Sequence, residues 1–161
     1  MNIHTIILAA GAGSRMKSNK AKVLQTIGGM SMLQRVLRTT ASLHSKSTVV
    51  LGHDKDGVLK HLQNIEGDIS TVIQTNQLGT ADAVKSAMPH TSSDETVLVL
   101  YGDVPLVSED SLRELIKKAE GGFSILTTSL DNPFGYGRVV TNADNIAQAI
   151  VEEKDATADI K

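Results

Sequence analysis

The sequence predicts an α/β fold: a mostly parallel sheet with helices on both faces. Short apolar, β-branched runs alternate with longer helix-compatible stretches along most of the chain. The runs at 3–10 and 96–101 are almost wholly apolar, as strands are when helices cover both of their faces. With 161 residues the chain can bury a core without staples, and with aromatics at 2% and no Trp that core must be Ile, Leu, Val, Ala and Met. One domain is the default at this length.

The first strand, 3–10, runs into "GAGSRMKSNKAK", a glycine-containing loop carrying Arg15, Lys17, Lys20 and Lys22. Further strands are predicted at 48–51, 69–74, 96–101 and 123–129, and helices at 30–43, 56–64, 80–88 and 108–119. In "SEDSLRELIKKAEGG", Ser108 is a suitable N-cap, Glu109 and Asp110 suit the first turn, and Leu112, Leu115 and Ile116 form the apolar stripe. Gly121 can stop that helix. Beyond 130 the pattern weakens into a turn, a short strand, a polar hairpin near 142–145 and another strand. There is no repeat, low-complexity segment or linker.

Sixteen basic residues against eighteen acidic leave a formal charge of -2, with no long run of either sign. A nucleic-acid or membrane surface is therefore not expected, and the scarcity of aromatics argues against base stacking. Without cysteine there are no disulfides or thiolate metal sites. No apolar stretch approaches the roughly 20 residues of a membrane span, so the chain reads as cytoplasmic and soluble.

Chemistry-bearing residues should sit at the carboxyl ends of the strands. A glycine loop directly after a strand presents backbone N–H groups to a phosphate, with Arg15 and Lys22 to supply charge. "GAGSRM" lacks the GK-Ser/Thr of the P-loop and the third glycine of the dinucleotide fingerprint, and a plain strand-to-helix turn fits it equally well. In "LYGDVPL", Asp103 follows an apolar strand in a turn with Gly102 and Pro105. Its carboxylate suits Mg²⁺ bridging phosphates, although an ordinary turn Asp fits too. "QTNQLGTAD" reads locally as helix entry, with Gly79 as the turn, Thr80 as N-cap and Asp82 in the first turn. Gly135 and Gly137 around Tyr136 fit a tight turn, and Glu152 a surface carboxylate. His4, His44, His53, His61 and His90 show no ligand spacing and read as solvated or capping. "HDKDG" at 53–57 faintly echoes a calcium loop but lacks its closing Glu.

"LAAGAGSRM" followed by "KVL" resembles the signature of sugar-nucleotide pyrophosphorylases. "QTNQLGTADAV", "LYGDVPLV", "NPFGYGRVV" and "IVEEKDAT" are similar, in order and spacing, to the uridyltransferase domain of bacterial bifunctional N-acetylglucosamine-1-phosphate uridyltransferases. The resemblance implies a Rossmann-like sheet of the nucleotide-diphospho-sugar transferase type. It implies synthesis of UDP-N-acetylglucosamine and pyrophosphate from UTP and N-acetylglucosamine 1-phosphate, with Mg²⁺, for cell-wall precursors. A cytidylyl- or guanylyltransferase, or a uridine-nucleotide-binding chain without turnover, are the rival readings. By resemblance Leu8, Ala9, Ala10 and Gly11 line the uridine site with Gln74, Gln77, Gly79 and Thr80, the glutamine amides reading the imide edge of uracil. Asp103 is the metal ligand, Lys22 stabilises the α-phosphate and Arg15 holds the leaving pyrophosphate. Tyr101 and Gly102 flank the sugar, which Gly137 and Glu152 bind.

The resemblance also has departures. Ala21 stands where the family usually has Pro, and Ser14 where it usually has Thr, so the phosphate loop is expected to be less preorganised. The family's domain continues past Lys161 and is followed by an acetyltransferase β-helix that forms trimers. The chain is accordingly expected to be an amino-terminal part of that domain, with a sheet incomplete at its C-terminal side and a tendency to self-associate.

Overall fold

A computed structural model describes residues 2–11, 13, 18, 20–76 and 78–160. The chain divides into two compact units, Met1–Ile116 and Lys117–Lys161. The first is built on β1 (Asn2–Leu8), a small hairpin of β2 (Thr26–Ile27) and β3 (Met30–Ser31), α1 (Met32–Ser42), β4 (Lys46–Leu51), α2 (Lys55–Leu62), β5 (Ile69–Ile73), α3 (Thr80–Ala87), β6 (Glu95–Tyr101) and α4, which begins at Glu109 and runs to Lys118. Four strands form one parallel sheet in the order β5-β4-β1-β6, with Ile7 opposite both Val49 and Leu100.

Alternation along the strands assigns the two faces. Ile7, Val49 and Leu51 pack with Leu33, Val36 and Leu37 of α1 and Val58 and Leu62 of α2. Leu98 packs with Leu112 and Ile116 of α4 beside Ile3 and Leu100 on the same face. Ile6 and Val50 point the other way, onto Ala83 and Ala87 of α3. Ile6, Ile7, Val49, Val50 and Leu33 are wholly buried, which is why the central strands are near-continuous apolar runs. None of the described helices is long and apolar enough to cross a membrane.

The elements start where their caps allow. Gly28 and Gly29, at φ 57° and 79°, make the two-residue turn of the β2–β3 hairpin, so the helix expected from residue 30 begins at Met32. Ser31 caps it, its hydroxyl accepting from Gln34 N–H at 3.0 Å. Ser108 accepts from Ser111 N–H at 3.2 Å ahead of α4, as its sequence suggested. Gly79, not Thr80, occupies the N-cap of α3, at a φ of 111° that a β-carbon disfavours.

His4 departs from expectation. It is buried, its Nε2 2.8 Å from the Thr48 hydroxyl and its Nδ1 3.2 Å from Glu95, and Thr48 in turn meets Ser70 at 2.7 Å. This polar ladder crosses β1, β4 and β5 on the α3 face and satisfies groups that burial would otherwise penalise. Strand alternation places His4 inward, a signal that its lack of ligand spacing hid.

The second unit holds the antiparallel pair β7 (Arg138–Thr141) and β8 (Ala147–Val151), joined by a turn in which Asn142 N–H donates to Ile146 and Asn145 has φ 62°. That matches the strand, polar hairpin and strand read from the sequence. The strand expected at 123–129 does not form: these residues have no ladder partner, and Phe123 and Leu126 are exposed. Apolar β-branched composition permits a strand, but only a paired neighbour makes one.

Candidate nucleotide-binding site

The carboxyl ends of β1 and β6 lie side by side, Leu8 opposite Tyr101, and the chain leaving each edges a cleft of about 500 Å³. Leu8, Ala9, Ala10 and Gly11, at and just past the end of β1, line its floor. Ala9 and Ala10 are buried and a β-carbon at Gly11 would meet nothing within 4 Å, so a flat group can lie close to the chain here. One wall is Gln74, Gly79, Thr80 and Ala83, from the end of β5 and the first turn of α3. The other is Lys22, Val23, Tyr101 and Asp103.

Lys22 Nζ donates to Asp103 Oδ2 at 2.7 Å, across 81 residues of chain. Both side chains keep partial solvent access, at 41% and 30%, so the pair is an exchangeable contact at the mouth of the cleft, not a structural anchor. Lys22 opens a short 3-10 turn, Lys22–Leu24, whose Val23 and Leu24 plug into the core. Gly13 makes its approach possible: at φ 57° it lies so close that a β-carbon would come within 2.8 Å of Lys22 Cβ. Gly102 is buried, its N–H donating to Leu8 carbonyl at 2.9 Å, and a β-carbon there would stand 3.1 Å from Val23.

Gln74 is buried, and its amide nitrogen donates to Asp82 Oδ2 at 2.7 Å and to Gly79 carbonyl at 3.3 Å. The amide orientation is thereby fixed, and its carbonyl oxygen is the atom it can present to a ligand. The loop after β4 braces the floor from behind. His53 N–H donates to Ala10 carbonyl at 3.2 Å, and Gly52 lies so close that a β-carbon would sit 2.6 Å from that oxygen.

Ten of the residues singled out in the sequence thus line one cleft: Leu8, Ala9, Ala10, Gly11, Lys22, Gln74, Gly79, Thr80, Tyr101 and Asp103. Arg15 and Gln77 lie outside the described residues. Gly137 and Glu152 belong to the second unit, where a β-carbon on Gly137 would stand 3.9 Å from Glu152 Oε2. Glu153 is engaged otherwise, accepting from Arg138 at 2.7 Å and from Gly135 N–H at 3.3 Å, while Glu152 is exposed. Sequence reasoning did not single out Gly13, Val23 or Ala83 as lining residues; only Gly13 carried a signal, its place in the glycine loop.

A cleft of this size at the carboxyl ends of a parallel sheet, floored by small residues and rimmed by a lysine and an aspartate, defines a nucleotide-binding α/β domain. Over residues 5–153 the chain matches the MobA-like NTP transferase domain, and it belongs to that family. It is 46% identical over 159 residues to the bifunctional protein GlmU of Marinobacter nauticus and 48% identical over 157 residues to that of Ruthia magnifica. Those matches cover 98% and 97% of this chain but only 35% and 34% of the relatives, so the chain spans about a third of their length. Its fold superposes with a TM-score of 0.71 and 18% identity on a UDP-glucose pyrophosphorylase complexed with UDP-glucose, over 97% of this chain and 72% of the other. The resemblance read from the sequence and the expected fold class are both borne out.

Proposed function

We propose that this chain transfers a uridylyl group from UTP to N-acetylglucosamine 1-phosphate, forming UDP-N-acetylglucosamine and releasing pyrophosphate. The observation that carries the reading is the Lys22–Asp103 pair, 2.7 Å apart, on a cleft also lined by Leu8, Ala9, Ala10 and Gly11. The GlmU relatives support it.

A phosphate oxygen of the sugar phosphate attacks the α-phosphorus of UTP, and the bond from that phosphorus to the bridging oxygen of the β-phosphate breaks. The nucleophile is already anionic, since a phosphate monoester has its second pKa near ~6, so no general base is required. The barrier is repulsion between anions, and the protein lowers it by positioning and charge. Lys22 exchanges its carboxylate partner for the α-phosphate when nucleotide enters. Arg15 is assigned the leaving pyrophosphate. Gln74 presents its carbonyl oxygen to the uracil imide N–H, with Gln77 assigned the remaining edge. Gly137 and Glu152 are assigned the sugar.

The donor set fits Mg²⁺. Among the described residues no three His, Cys, Asp or Glu side chains cluster as a closed metal cage. A lone accessible carboxylate at a phosphate site is what Mg²⁺ uses, because it keeps most of its waters and takes its other ligands from substrate phosphates. Asp103 would hold the ion, which supplies neutralisation of phosphate charge when bound.

The deciding experiment is Mg²⁺-dependent pyrophosphate release with N-acetylglucosamine 1-phosphate and UTP, with CTP and GTP run in parallel. Selective turnover of UTP is the expected result. Equal use of CTP or GTP overturns the uridine assignment, and UTP binding without turnover leaves a nucleotide-binding chain.

A further inference from the structure

Asp54 stands at the N-cap of α2, where an Asp side chain ordinarily accepts the free N–H groups of its own helix. Here it makes no such bond. Its backbone lies at φ 52° and ψ 40°, a left-handed conformation that glycine adopts freely and that Asp tolerates better than most residues with a β-carbon. Its carboxylate reaches 33 residues back along the chain, and Oδ2 accepts the Ala21 N–H at 3.0 Å. Gly57 makes room for it: a β-carbon there would come within 2.5 Å of Asp54 Oδ1.

Ala21 is wholly buried, and its carbonyl accepts from Leu24 N–H at 3.0 Å. The residue directly before Lys22 is therefore held on both its N–H and its carbonyl. We propose that Asp54 is a positioning residue for Lys22: by accepting the Ala21 N–H it fixes the backbone from which the Lys22 side chain reaches into the cleft. The inference rests on the proposed role of Lys22. It also gives Ala21 a physical account, because the loosening expected where proline is missing is countered by a hydrogen bond that proline, lacking an N–H, could not make. One short loop thus braces both sides of the site, through His53 to Ala10 and through Asp54 to Ala21.

Asp54→Gly removes the acceptor while relieving the left-handed backbone. Asp54→Asn keeps an acceptor oxygen. Ala21→Pro removes the donor at a φ of -50° and ψ of 138°, which proline can adopt. In the pyrophosphate assay, Asp54→Gly should lower kcat about ten-fold with the KM for sugar phosphate unchanged. Asp54→Asn should recover most of the loss, and adding Ala21→Pro to Asp54→Gly should bring kcat back to that of Ala21→Pro alone. A deficit of equal size in both backgrounds, or no deficit in Asp54→Gly, overturns the proposal. If Asp54→Gly is unfolded by circular dichroism, Asp54→Asn decides: a loss of turnover that persists when Ala21 is Pro overturns it. Amide exchange separates the two readings. A parent chain that fails to turn over UTP refutes the uridylyl-transfer reading, whereas an Ala21 amide that exchanges freely in the parent refutes the clamp itself.

Discussion

At the scale of single residues, the site is a set of close approaches. Lys22→Ala should lower turnover by about 100-fold or more, since a positioned cation at developing charge is being removed, while the circular dichroism spectrum stays that of the parent. Near-normal turnover would remove Lys22 from the mechanism. Gly13→Ala tests the approach itself. At a φ of 57° an added β-carbon would stand 2.8 Å from Lys22 Cβ, so the methyl group strains the loop by roughly 1–2 kcal/mol and displaces Lys22. UTP affinity by calorimetry should fall about ten-fold. Most of this was legible: the strand-loop-lysine pattern and the aspartate after an apolar strand marked where charge would gather. Asp54 was not, because "HDKDG" resembles a weak metal loop and only the fold shows its carboxylate turned towards Ala21.

At the scale of elements, caps and buried hydrogen bonds set the ends. Ser31 serves two partners, capping α1 through Gln34 and meeting His61 Nε2 at 2.8 Å from α2. Ser31→Ala should cost about 1 kcal/mol in chemical denaturation, and more if the α2 contact fails with the cap. His61 is held below its ordinary pKa of 6.5, first by burial and then by the charge of Lys20. Folding therefore refuses a proton that the unfolded chain accepts, so stability should fall as pH drops below 6.5 towards the lowered value. His61→Gln should flatten that part of the pH-stability curve; an unchanged slope would clear His61 of the effect. Glu95 is held below 4.5, chiefly by the Ser92 N–H, with His4 and Lys46 assisting. Its contribution is present above 4.5 and is lost as pH falls through the lowered value, a second and more acid step. Helices were readable from cap and stripe chemistry, and the buried strands from their apolar runs. The two-glycine hairpin before α1 and the absence of a strand at 123–129 were not, since one is a matter of positive φ and the other of whether a neighbouring strand takes up the segment.

At the scale of the whole molecule, the sheet ends in two edges, β5 and β6, and on β6 Val99 is exposed at 37%. An outer strand that carries an exposed apolar side chain invites a second copy. Light scattering should show mass rising with concentration, and Val99→Lys should suppress the rise; a monomer at every concentration contradicts it. β1 is made first but sits between β4 and β6, so it waits for both, and its last partner begins at Glu95. Lys22 and Asp103 are separated by 81 residues. At ~5–20 residues per second a ribosome takes on the order of 4–16 s to deliver the second after the first. Throughout that interval β1 lacks one of its two partners and the cleft lacks Tyr101 and Asp103, so the cleft is completed only after β6 has been made.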